Sequence, residues 1–315
     1  MSIKMGIVMD PIGLINPKKD STLAMMLEAQ SRDWQLSYIE QQDLYLINGQ
    51  SYALMQDITV YDDLQRWYTL GGAEARPLGS LDVLLMRKDP PFDMNYIYST
   101  YILEQAEADG LLIVNKPQSL RDANEKLYTA WSPQCTPPTL VTSRSDLIKS
   151  FLDRHQDIIL KPLSAMGGAS VFRVKTGDPN INVIIETMTD QFQQPVMVQR
   201  YIPEITKGDK RILLIDGEPV PYALARIPPA GETRANLAMG GKGVGVPLTE
   251  RDHWICAQIK DVLKEKGLMF VGIDVIGDYL TEINVTSPTC IRELDNIYSL
   301  NISAILMDKI ASRLQ

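Results

Sequence analysis

Residues 274–285 read DVIGDYLTEINV, and their alternation of apolar and polar residues predicts two short antiparallel strands joined by a turn. Side chains alternate between the faces of a strand, so the register of the pairing decides which face each acidic residue occupies. We predict a three-residue turn that pairs Ile276 with Leu280. This register places Asp274 opposite Glu282, whereas a slip of one residue would turn Asp274 toward the apolar face.

Three oxygen-bearing side chains would then share one face of this hairpin: Asp274, Glu282 and Asn284. Carboxylate and amide oxygens are the ligands that Mg²⁺ prefers, and Mg²⁺ usually completes a small set of protein ligands with water and substrate phosphates. The hairpin therefore favours a magnesium ion that holds phosphate groups. The spacing alone is equally compatible with an acidic hairpin at a solvated sheet edge, so the choice depends on other segments.

A glycine-containing loop between two predicted strands, within residues 158–174, is the second informative segment. The adjacent Gly167 and Gly168 allow backbone N–H groups to approach an anion, and Lys161 at the end of an apolar strand supplies a positive charge. The spacing matches neither a Walker loop nor a dinucleotide fingerprint, and an ordinary hairpin is the alternative. Three further basic residues near the ends of predicted elements favour an anion site: Lys126, Arg211 and Arg226.

The third segment, residues 226–245, contains many glycines and no apolar periodicity. Loops longer than about 12 residues inside compact domains are usually functional lids or disordered segments. Arg234 and Asn236 stand among small residues, which a disordered insertion would not explain. We therefore predict a mobile lid that carries a cation over a phosphate site.

The N-terminal part predicts an α/β domain with a largely parallel sheet, because predicted strands and helices alternate. Arg87 follows the apolar run 83–86, at the end of a predicted strand where ligands gather in open α/β sheets. Its guanidinium could bind a carboxylate through two hydrogen bonds, and a surface salt bridge is the alternative. Further along, residues 119–129 are predicted to be helical and to present Lys126.

With these segments identified, the chain resembles the prokaryotic-type glutathione synthetases of the ATP-grasp superfamily. The motifs that carry the resemblance are residues 5–11 (MGIVMDP), 86–93 (MRKDPPFD), 115–122 (NKPQSLRD), 208–211 (GDKR), 231–234 (GETR) and 281–289 (TEINVTSPT). They are spread over nearly the whole chain, so the resemblance is to a complete enzyme. Two departures concern ATP affinity rather than reaction type: Ser164-Ala165 replaces the usual Asp-Gly, and Arg200 replaces a small polar residue.

The resemblance implies an α/β (α+β ATP-grasp) fold with an N-terminal α/β domain at residues 1–118 and an ATP-grasp domain at 119–315. The latter would comprise a small lid module at about 139–202 and a C-terminal catalytic module at about 203–315. It also implies a ligase that joins γ-glutamylcysteine to glycine through an acylphosphate, giving glutathione, ADP and phosphate. Mg²⁺ or Mn²⁺ would be the cofactor, and a cytoplasmic homotetramer the assembly.

Four groups of site residues follow from the resemblance together with the segments above. The metal ligands would be Asp274, Glu282 and Asn284. Arg211, Arg226 and Arg234 would act on the transferring phosphoryl group. ATP would be bound by Lys126, Lys161, Gly167, Gly168, Gln199, Arg200, Tyr201, Ile202 and Asp209. The peptide and its acceptor would be bound by Arg87, Ser287, Pro288 and Thr289.

Composition excludes several other classes of protein. A chain of 315 residues, 45% of them hydrophobic, is long enough for two or three small domains. A net charge of −8 argues against nucleic-acid and anionic-membrane partners. Three cysteines are too few for a disulfide framework or a zinc site. We also expect no secretory leader and no membrane span, because Asp10 and Pro11 interrupt the first apolar run.

Two rival functions remain open at this point. Another ATP-grasp carboxylate–amine ligase would share the nucleotide site and differ at Arg87 and at residues 287–289. A non-catalytic nucleotide-binding protein could have kept the fold, but the full set of acidic ligands and arginines argues against it. Neither His155 nor His253 has a Ser, Cys or Asp partner at a recognisable spacing, which argues against a hydrolase triad.

Overall fold

The computed structural model describes residues 2–164, 169–229 and 240–315. Within these residues, three β-sheets carry the helices on their faces. Two large cores each join residues of the first and third sheets, whereas the second sheet has a small core of its own. Among the described residues, no helix is long and apolar enough to cross a membrane.

The first sheet contains seven strands: β1 (Lys4–Met9), β2 (Gln35–Glu40), β3 (Leu44–Ile47), β4 (Gln50–Val60), β5 (Tyr68–Pro77), β6 (Val83–Met86) and β7 (Leu112–Val114). Strands β2, β1, β6 and β7 are parallel, which confirms the predicted parallel sheet. Strand β4 runs antiparallel to β2 and pairs with β3 and β5, an extension that the sequence did not indicate.

Three helices accompany this sheet: α1 (Ser21–Ser31), α2 (Met94–Ala108) and α3 (Pro117–Asp122). Asp20 caps α1, because its Oδ1 accepts a hydrogen bond from Leu23 N at 2.6 Å. The prediction of one helix over residues 119–129 is wrong. Helix α3 ends at Asp122, a 3₁₀ helix begins at Leu127, and Lys126 lies between them.

The second sheet has four antiparallel strands in the order β10, β9, β11, β8: β8 (Thr139–Thr142), β9 (Asp157–Pro162), β10 (Phe172–Lys175) and β11 (Val196–Arg200). Helices α4 (Ser145–His155) and α5 (Ile181–Met188) cover it. Its core contains Ile148, Leu152, Ile158, Leu160, Val174 and Ile185. This separate core makes the second sheet a small packing unit of its own.

The third sheet contains β12 (Asp209–Ile215), β13 (Glu218–Pro219), β14 (Tyr222–Ile227), β15 (Lys242–Pro247), β16 (Phe270–Ile276) and β17 (Tyr279–Asn284). Its helices are α6 (Glu250–Glu265), α7 (Ile291–Tyr298) and α8 (Ile302–Arg313). The main order is β15, β14, β12, β16, β17. Helix α8 packs on α1, where Arg32 Nη1 contacts Asp308 Oδ1 at 2.6 Å.

The hairpin of β16 and β17 places Asp274 opposite Glu282, as the sequence predicts, but through a different turn. Ile276 pairs with Tyr279 rather than Leu280, so the turn has two residues. Gly277 enters it with φ of +56°, a left-handed conformation that glycine adopts readily. A bulge between Asp274 and Val275 then shifts the register by one residue. As a result, Asp274 pairs with Glu282 as predicted.

The predicted loop over residues 226–245 is shorter than expected at both ends. Arg226 pairs with Gly243 and Ile227 with Lys242, so both ends belong to the β14–β15 ladder. Residues 230–239, including Arg234, lie outside the described residues, as do residues 165–168 with Gly167 and Gly168. The predicted roles of these three residues therefore stay predictions.

Candidate active site

Two arginines and two aspartates meet in a buried cluster on the third sheet. Arg211 lies opposite Asp274 in the β12–β16 pairing, and Asp209 lies opposite Arg226 in the β12–β14 pairing. Arg211 donates from Nε to Asp274 Oδ1 at 2.6 Å and from Nη2 to Oδ2 at 3.1 Å. Arg226 Nη2 lies 2.8 Å from Asp274 Oδ2 and 2.6 Å from Asp209 Oδ2. Asp274 thus bridges the two guanidinium groups.

The pKa values of these two aspartates are shifted in opposite directions. Burial raises the pKa of a carboxyl group, but the adjacent guanidinium groups of Arg211 and Arg226 outweigh it and hold the pKa of Asp274 well below its usual range. Burial raises the pKa of Asp209 to about 6, with Arg226 opposing the shift and the charge of Asp274 adding to it. Asp274 is therefore ionised at neutral pH.

A glycine makes room for this cluster beside the segment that follows β17. A Cβ on Gly272 would lie 2.9 Å from Pro288 Cβ and 3.0 Å from Arg211 Cδ. The distance to Pro288 is shorter than real Cβ atoms show, and the distance to Arg211 is tighter than most, so a larger residue would force the neighbours to shift. Gly272 therefore allows Arg211 and Pro288 to pack against the same strand.

Two lysines complete the charged surface next to Asp274. Lys126 Nζ lies 3.8 Å from Glu282 Oε1. Burial lowers the pKa of Lys161, and the charge of Glu282 acts against that shift. Glu282 accepts no side-chain hydrogen bond from the described part of the chain. The predicted basic residues Lys126, Lys161, Arg211 and Arg226 thus converge on one site.

The predicted metal ligands share one face of the hairpin and supply only oxygen donors. Asn284 donates from Nδ2 to Gly272 O at 3.0 Å, which leaves its carbonyl oxygen as the donor for a cation. Asp209 Oδ1 is buried and has no hydrogen-bond partner among the described residues. No group of three His, Cys, Asp or Glu side chains is placed to hold a metal in the described ranges. Two carboxylates and an amide fit Mg²⁺, whose remaining ligands come from water and phosphates.

A small cavity lies between the second and third sheets at the end of β11, and we call it the β11 cavity. Its volume is about 80 Å³, and the wall includes Ile159, Lys161, Gln199–Ile202 and Ile276. Arg200 Nη2 donates to Tyr279 Oη at 2.9 Å and so links the two sheets at its rim. The predicted residues Gln199, Arg200, Tyr201 and Ile202 therefore line one apolar cavity next to Lys161.

Arg87 is 5% exposed, so the alternative of a surface salt bridge is wrong. Its Nε donates to Thr22 Oγ1 at 3.1 Å and its Nη2 to Pro288 O at 2.9 Å, while Nη1 has no partner among the described residues. Ser287 Oγ in turn donates to Arg87 O at 3.2 Å. Arg87 therefore holds the segment 287–289 in place, and within the described residues its Nη1 is left for a ligand.

Two residues that the sequence analysis missed support the ends of the hairpin strands. Asn115 Nδ2 donates to Phe270 O at 2.8 Å and Val285 O at 2.7 Å, and its Oδ1 accepts from Phe270 N. Glu125 Oε1 accepts from Val285 N at 2.9 Å and from Thr286 N and Oγ1 at 3.1 and 2.9 Å. Asn115 could have been noticed as a polar residue after an apolar strand, whereas nothing local marks Glu125.

Comparisons with known proteins agree over the whole chain. The family described as prokaryotic glutathione synthetase, N-terminal domain, matches residues 3–121, and the family described as prokaryotic glutathione synthetase, ATP-grasp domain, matches residues 125–299. The glutathione synthetase of Pseudomonas putida is 61% identical over 315 residues, which cover 100% of this chain and 99% of that protein. The glutathione synthetase of Escherichia coli K12 is 60% identical over 313 residues, 99% of each chain.

Solved structures with low sequence identity share the fold. The D-cycloserine synthetase DcsG has a TM-score of 0.71 at 12% identity, covering 99% of this chain and 100% of that chain. The ATP-grasp ligase PsnB, solved with a minimal precursor, has a TM-score of 0.65 at 16% identity, covering 100% of this chain and 99% of that chain. The α/β arrangement predicted from the sequence is therefore the ATP-grasp fold.

Proposed function

The chain belongs to the prokaryotic glutathione synthetase family, and on that premise we propose that its buried charge cluster joins γ-glutamylcysteine to glycine with ATP as the co-substrate. The enzyme is an ATP-dependent carboxylate–amine ligase. The observation that carries the site assignment is the convergence of Arg211, Arg226, Lys126 and Lys161 around Asp274 and Glu282. That arrangement suits the transfer of a highly charged group.

The reaction proceeds in two chemical steps. An oxygen of the cysteinyl carboxylate attacks the γ-phosphorus of ATP, and the bond from that phosphorus to the bridging oxygen of ADP breaks. The glycine nitrogen then attacks the acyl carbon, loses a proton, and displaces inorganic phosphate. The product is glutathione. Phosphoryl transfer depends mainly on positioning and on stabilisation of charge, which fixed cationic side chains provide.

Each side chain of the cluster has a distinct role in this scheme. Lys126 and Lys161 bind the phosphates of ATP, while Arg211 and Arg226 face the carboxylate and the transferred phosphoryl group. Asp274 keeps both guanidinium groups fixed, so they need no reorganisation during the reaction. A Mg²⁺ or Mn²⁺ ion held by Asp274, Glu282 and Asn284 would neutralise phosphate charge.

The β11 cavity is the site for the adenine base in this proposal. Its apolar wall suits a planar ring, and the backbone of residues 199–202 offers hydrogen-bonding groups at the strand end. Asp209 pairs with Arg226 and interacts with the charge of Lys161, which lines this cavity, in keeping with its assignment to the nucleotide site. Segment 287–289 and Nη1 of Arg87 lie at the end where the peptide and glycine bind.

The same proposal divides the chain into an N-terminal domain at 1–118 and an ATP-grasp domain at 119–315. The lid module at about 139–202 contains the whole second sheet, residues 139–200, with its own core. The catalytic module at about 203–315 contains the third sheet. Its helix α8 also packs against the N-terminal domain, which fixes these two parts together.

We further propose a homotetramer that works in the cytoplasm without nucleic-acid or membrane partners. Met94, Tyr98 and Tyr101 share one face of α2 and are each more than half exposed. Leu46 and Ile47 of β3 are also about half exposed, and α2 contacts β3. Exposed apolar patches of this kind are typical of subunit interfaces. Light scattering after size-exclusion chromatography should give the mass of four chains, and a monomeric mass would contradict the assembly.

Phosphate release tests the proposed reaction directly. It should require ATP, γ-glutamylcysteine, glycine and a divalent metal together, and omission of any one should abolish it. Chelation of the metal should stop turnover, and added Mg²⁺ should restore it. Equal turnover with amino acids that form alanine dipeptides, or none with γ-glutamylcysteine, would contradict the assignment.

A further inference from the structure

A second cavity, of about 170 Å³, lies where the N-terminal and ATP-grasp parts of the chain meet. We call it the Glu125 cavity. Its polar wall contains Asn124, Glu125, Lys126, Ser164 and Thr286, and its apolar wall contains Pro90, Phe92, Ala123 and Leu163. It is lined by both charge signs and by apolar groups, as expected for the binding site of a small zwitterion.

Two lysines beside Glu282 link this cavity to the β11 cavity. Lys161 lines the β11 cavity, Lys126 lines the Glu125 cavity, and both interact with the charge of Glu282. If the base occupies one cavity and the phosphates lie at the lysines, the Glu125 cavity is left for the other reactant. It therefore lies at the substrate end of the site.

Among the residues that the structure describes, the carboxylate of Glu125 has no cationic partner. The three hydrogen bonds that these residues donate to this carboxylate all go to Oε1, from Val285 N and from Thr286 N and Oγ1. No hydrogen bond to Oε2 and no ion pair of Glu125 is formed within residues 2–164, 169–229 and 240–315. Burial raises the pKa of Glu125, and the hydrogen bonds from Thr286 only partly oppose the shift. A buried carboxylate is stabilised by a cation, and a cationic ligand group would supply one.

We propose that the Glu125 cavity binds the amino-acid head of the γ-glutamyl group, with Glu125 Oε2 accepting a hydrogen bond from its α-ammonium. This inference rests on the proposed function, because it assigns one end of the carboxylate substrate. The cysteinyl carboxylate lies at the arginines, and the γ-glutamyl head is the opposite end of the same molecule.

Glycine is the other amine in the reaction and fits this cavity less well. Its nitrogen must lose a proton to attack the acyl carbon. A carboxylate that pairs with an ammonium stabilises the protonated form and would hold glycine in its unreactive state. The α-ammonium of the γ-glutamyl group stays protonated throughout, so pairing with Glu125 costs nothing in reactivity.

The test compares γ-glutamylcysteine with glutarylcysteine, which lacks only the α-amino group. Binding of each is measured by calorimetry in the presence of Mg²⁺ and a non-hydrolysable ATP analogue. Wild-type enzyme should bind glutarylcysteine about 10- to 100-fold more weakly, the usual effect of losing a charged hydrogen bond. Glu125→Gln retains an oxygen that accepts from Val285 N, and it should bind both compounds equally, at the weaker level.

Controls separate recognition from structural support. Thr286→Val removes one hydrogen bond to Glu125 but no charge, so it should keep the preference for γ-glutamylcysteine. Glu107→Gln, on α2 and away from the cavity wall, should behave as wild type. In steady-state assays, Glu125→Gln should raise the KM for γ-glutamylcysteine and leave the KM values for ATP and glycine unchanged.

Three results would overturn the proposal: equal binding of the two compounds by wild type, an undiminished preference in Glu125→Gln, or a shift confined to the KM for glycine. Equal binding of the two compounds by wild type overturns the proposal even if the variant does not fold. Failure of the proposed function itself has a different signature, since wild-type enzyme would then release no phosphate with γ-glutamylcysteine and glycine.

Discussion

Asp274 and Glu282 lie opposite each other across one hairpin, yet their surroundings differ. Asp274 is bound by two arginines at 2.6 to 3.1 Å, and its side chain is 2% exposed. Glu282 reaches Lys126 only at 3.8 Å, and its side chain is 24% exposed. The protein itself therefore supplies Asp274 with two cations, whereas Glu282 depends more on a ligand for its counter-charge. Asp274 adds structural support of the two arginines to its proposed metal binding, and Glu282 serves mainly in binding.

The largest expected effect is on stability, at the Asp274 half. Asp274→Asn leaves Arg211 and part of the charge of Arg226 without a buried counter-charge. Breaking a buried ion pair by removing one partner lowers the free energy of unfolding by about 3–5 kcal/mol. Urea denaturation measures this change.

The matched control is Asp308→Asn, which removes the more exposed partner of Arg32. Exposed pairs contribute less than about 1 kcal/mol, so this variant should unfold almost as wild type does. If both substitutions lower the free energy of unfolding equally, the ion pairs of Asp274 stabilise the fold no more than an ordinary surface pair does.

The second effect is on activity, at the Glu282 half. Glu282→Gln keeps the shape of the side chain and removes its charge, so kcat should fall about 100- to 1000-fold, as for loss of a main electrostatic group in an active site. The free energy of unfolding should change by less than about 1 kcal/mol because the side chain is partly exposed. Near-normal turnover at saturating metal, or a large loss of stability, would show that the two halves do not differ in this way.

A third, smaller effect lies away from the charges, at the β11 cavity. Tyr279→Phe removes the hydroxyl that accepts from Arg200 and keeps the aromatic ring. A hydrogen bond to a charged group contributes about 1.5–3 kcal/mol, and less where solvent reaches it as it does here, so the KM for ATP should rise by about tenfold. The KM values for γ-glutamylcysteine and glycine should not change. A rise in all three would mean that the contact supports the whole cleft rather than the nucleotide site.

The smallest expected effect is on the pH dependence of stability, at a third carboxylate, Asp295. Its pKa is shifted in the direction opposite to that of Asp274. Burial raises the pKa of Asp295 to about 6, with a hydrogen bond from Ile302 N and the charge of Arg292 only partly opposing it. A raised pKa means that the folded state holds the proton more tightly than the unfolded state. The stability from this group is full below the unfolded pKa and is lost as the pH rises through about 6.

Asp295→Asn should therefore stabilise the protein at about pH 7.5 by less than about 1 kcal/mol, since solvent screens a partly exposed charge. It should have no effect near pH 4, where Asp295 is protonated in the folded state. Thermal unfolding across this pH range gives the comparison. Stabilisation that is the same at both pH values would rule out ionisation as the cause.

The hairpin shows how much of the site could be predicted from sequence. The apolar Ile273 and Ile283 must both reach the core, which fixes the face occupied by Asp274 and Glu282. The turn was predicted wrongly, because a bulge takes up one residue and alternation alone does not reveal a bulge. The shared face and the pairing of Asp274 with Glu282 were predicted correctly, whereas the predicted pairing of Ile276 with Leu280 was wrong.

Arg87 and Glu125 show what sequence could not provide. The position of Arg87 at a strand end was predicted correctly, but its burial depends on Pro288, which is distant in the chain. Glu125 has no local pattern at all, since its partners are residues 285 and 286. Contacts between distant segments create both environments, and only the folded chain brings those segments together.

Transfer of an oxygen isotope tests the central claim most directly. γ-Glutamylcysteine labelled with ¹⁸O in its cysteinyl carboxylate is incubated with enzyme, ATP, glycine and Mg²⁺, and the released phosphate is analysed by mass spectrometry. If the charge cluster phosphorylates that carboxylate, each phosphate released carries one oxygen from it, because glycine displaces phosphate together with the attacking oxygen. Phosphate free of ¹⁸O would contradict the account.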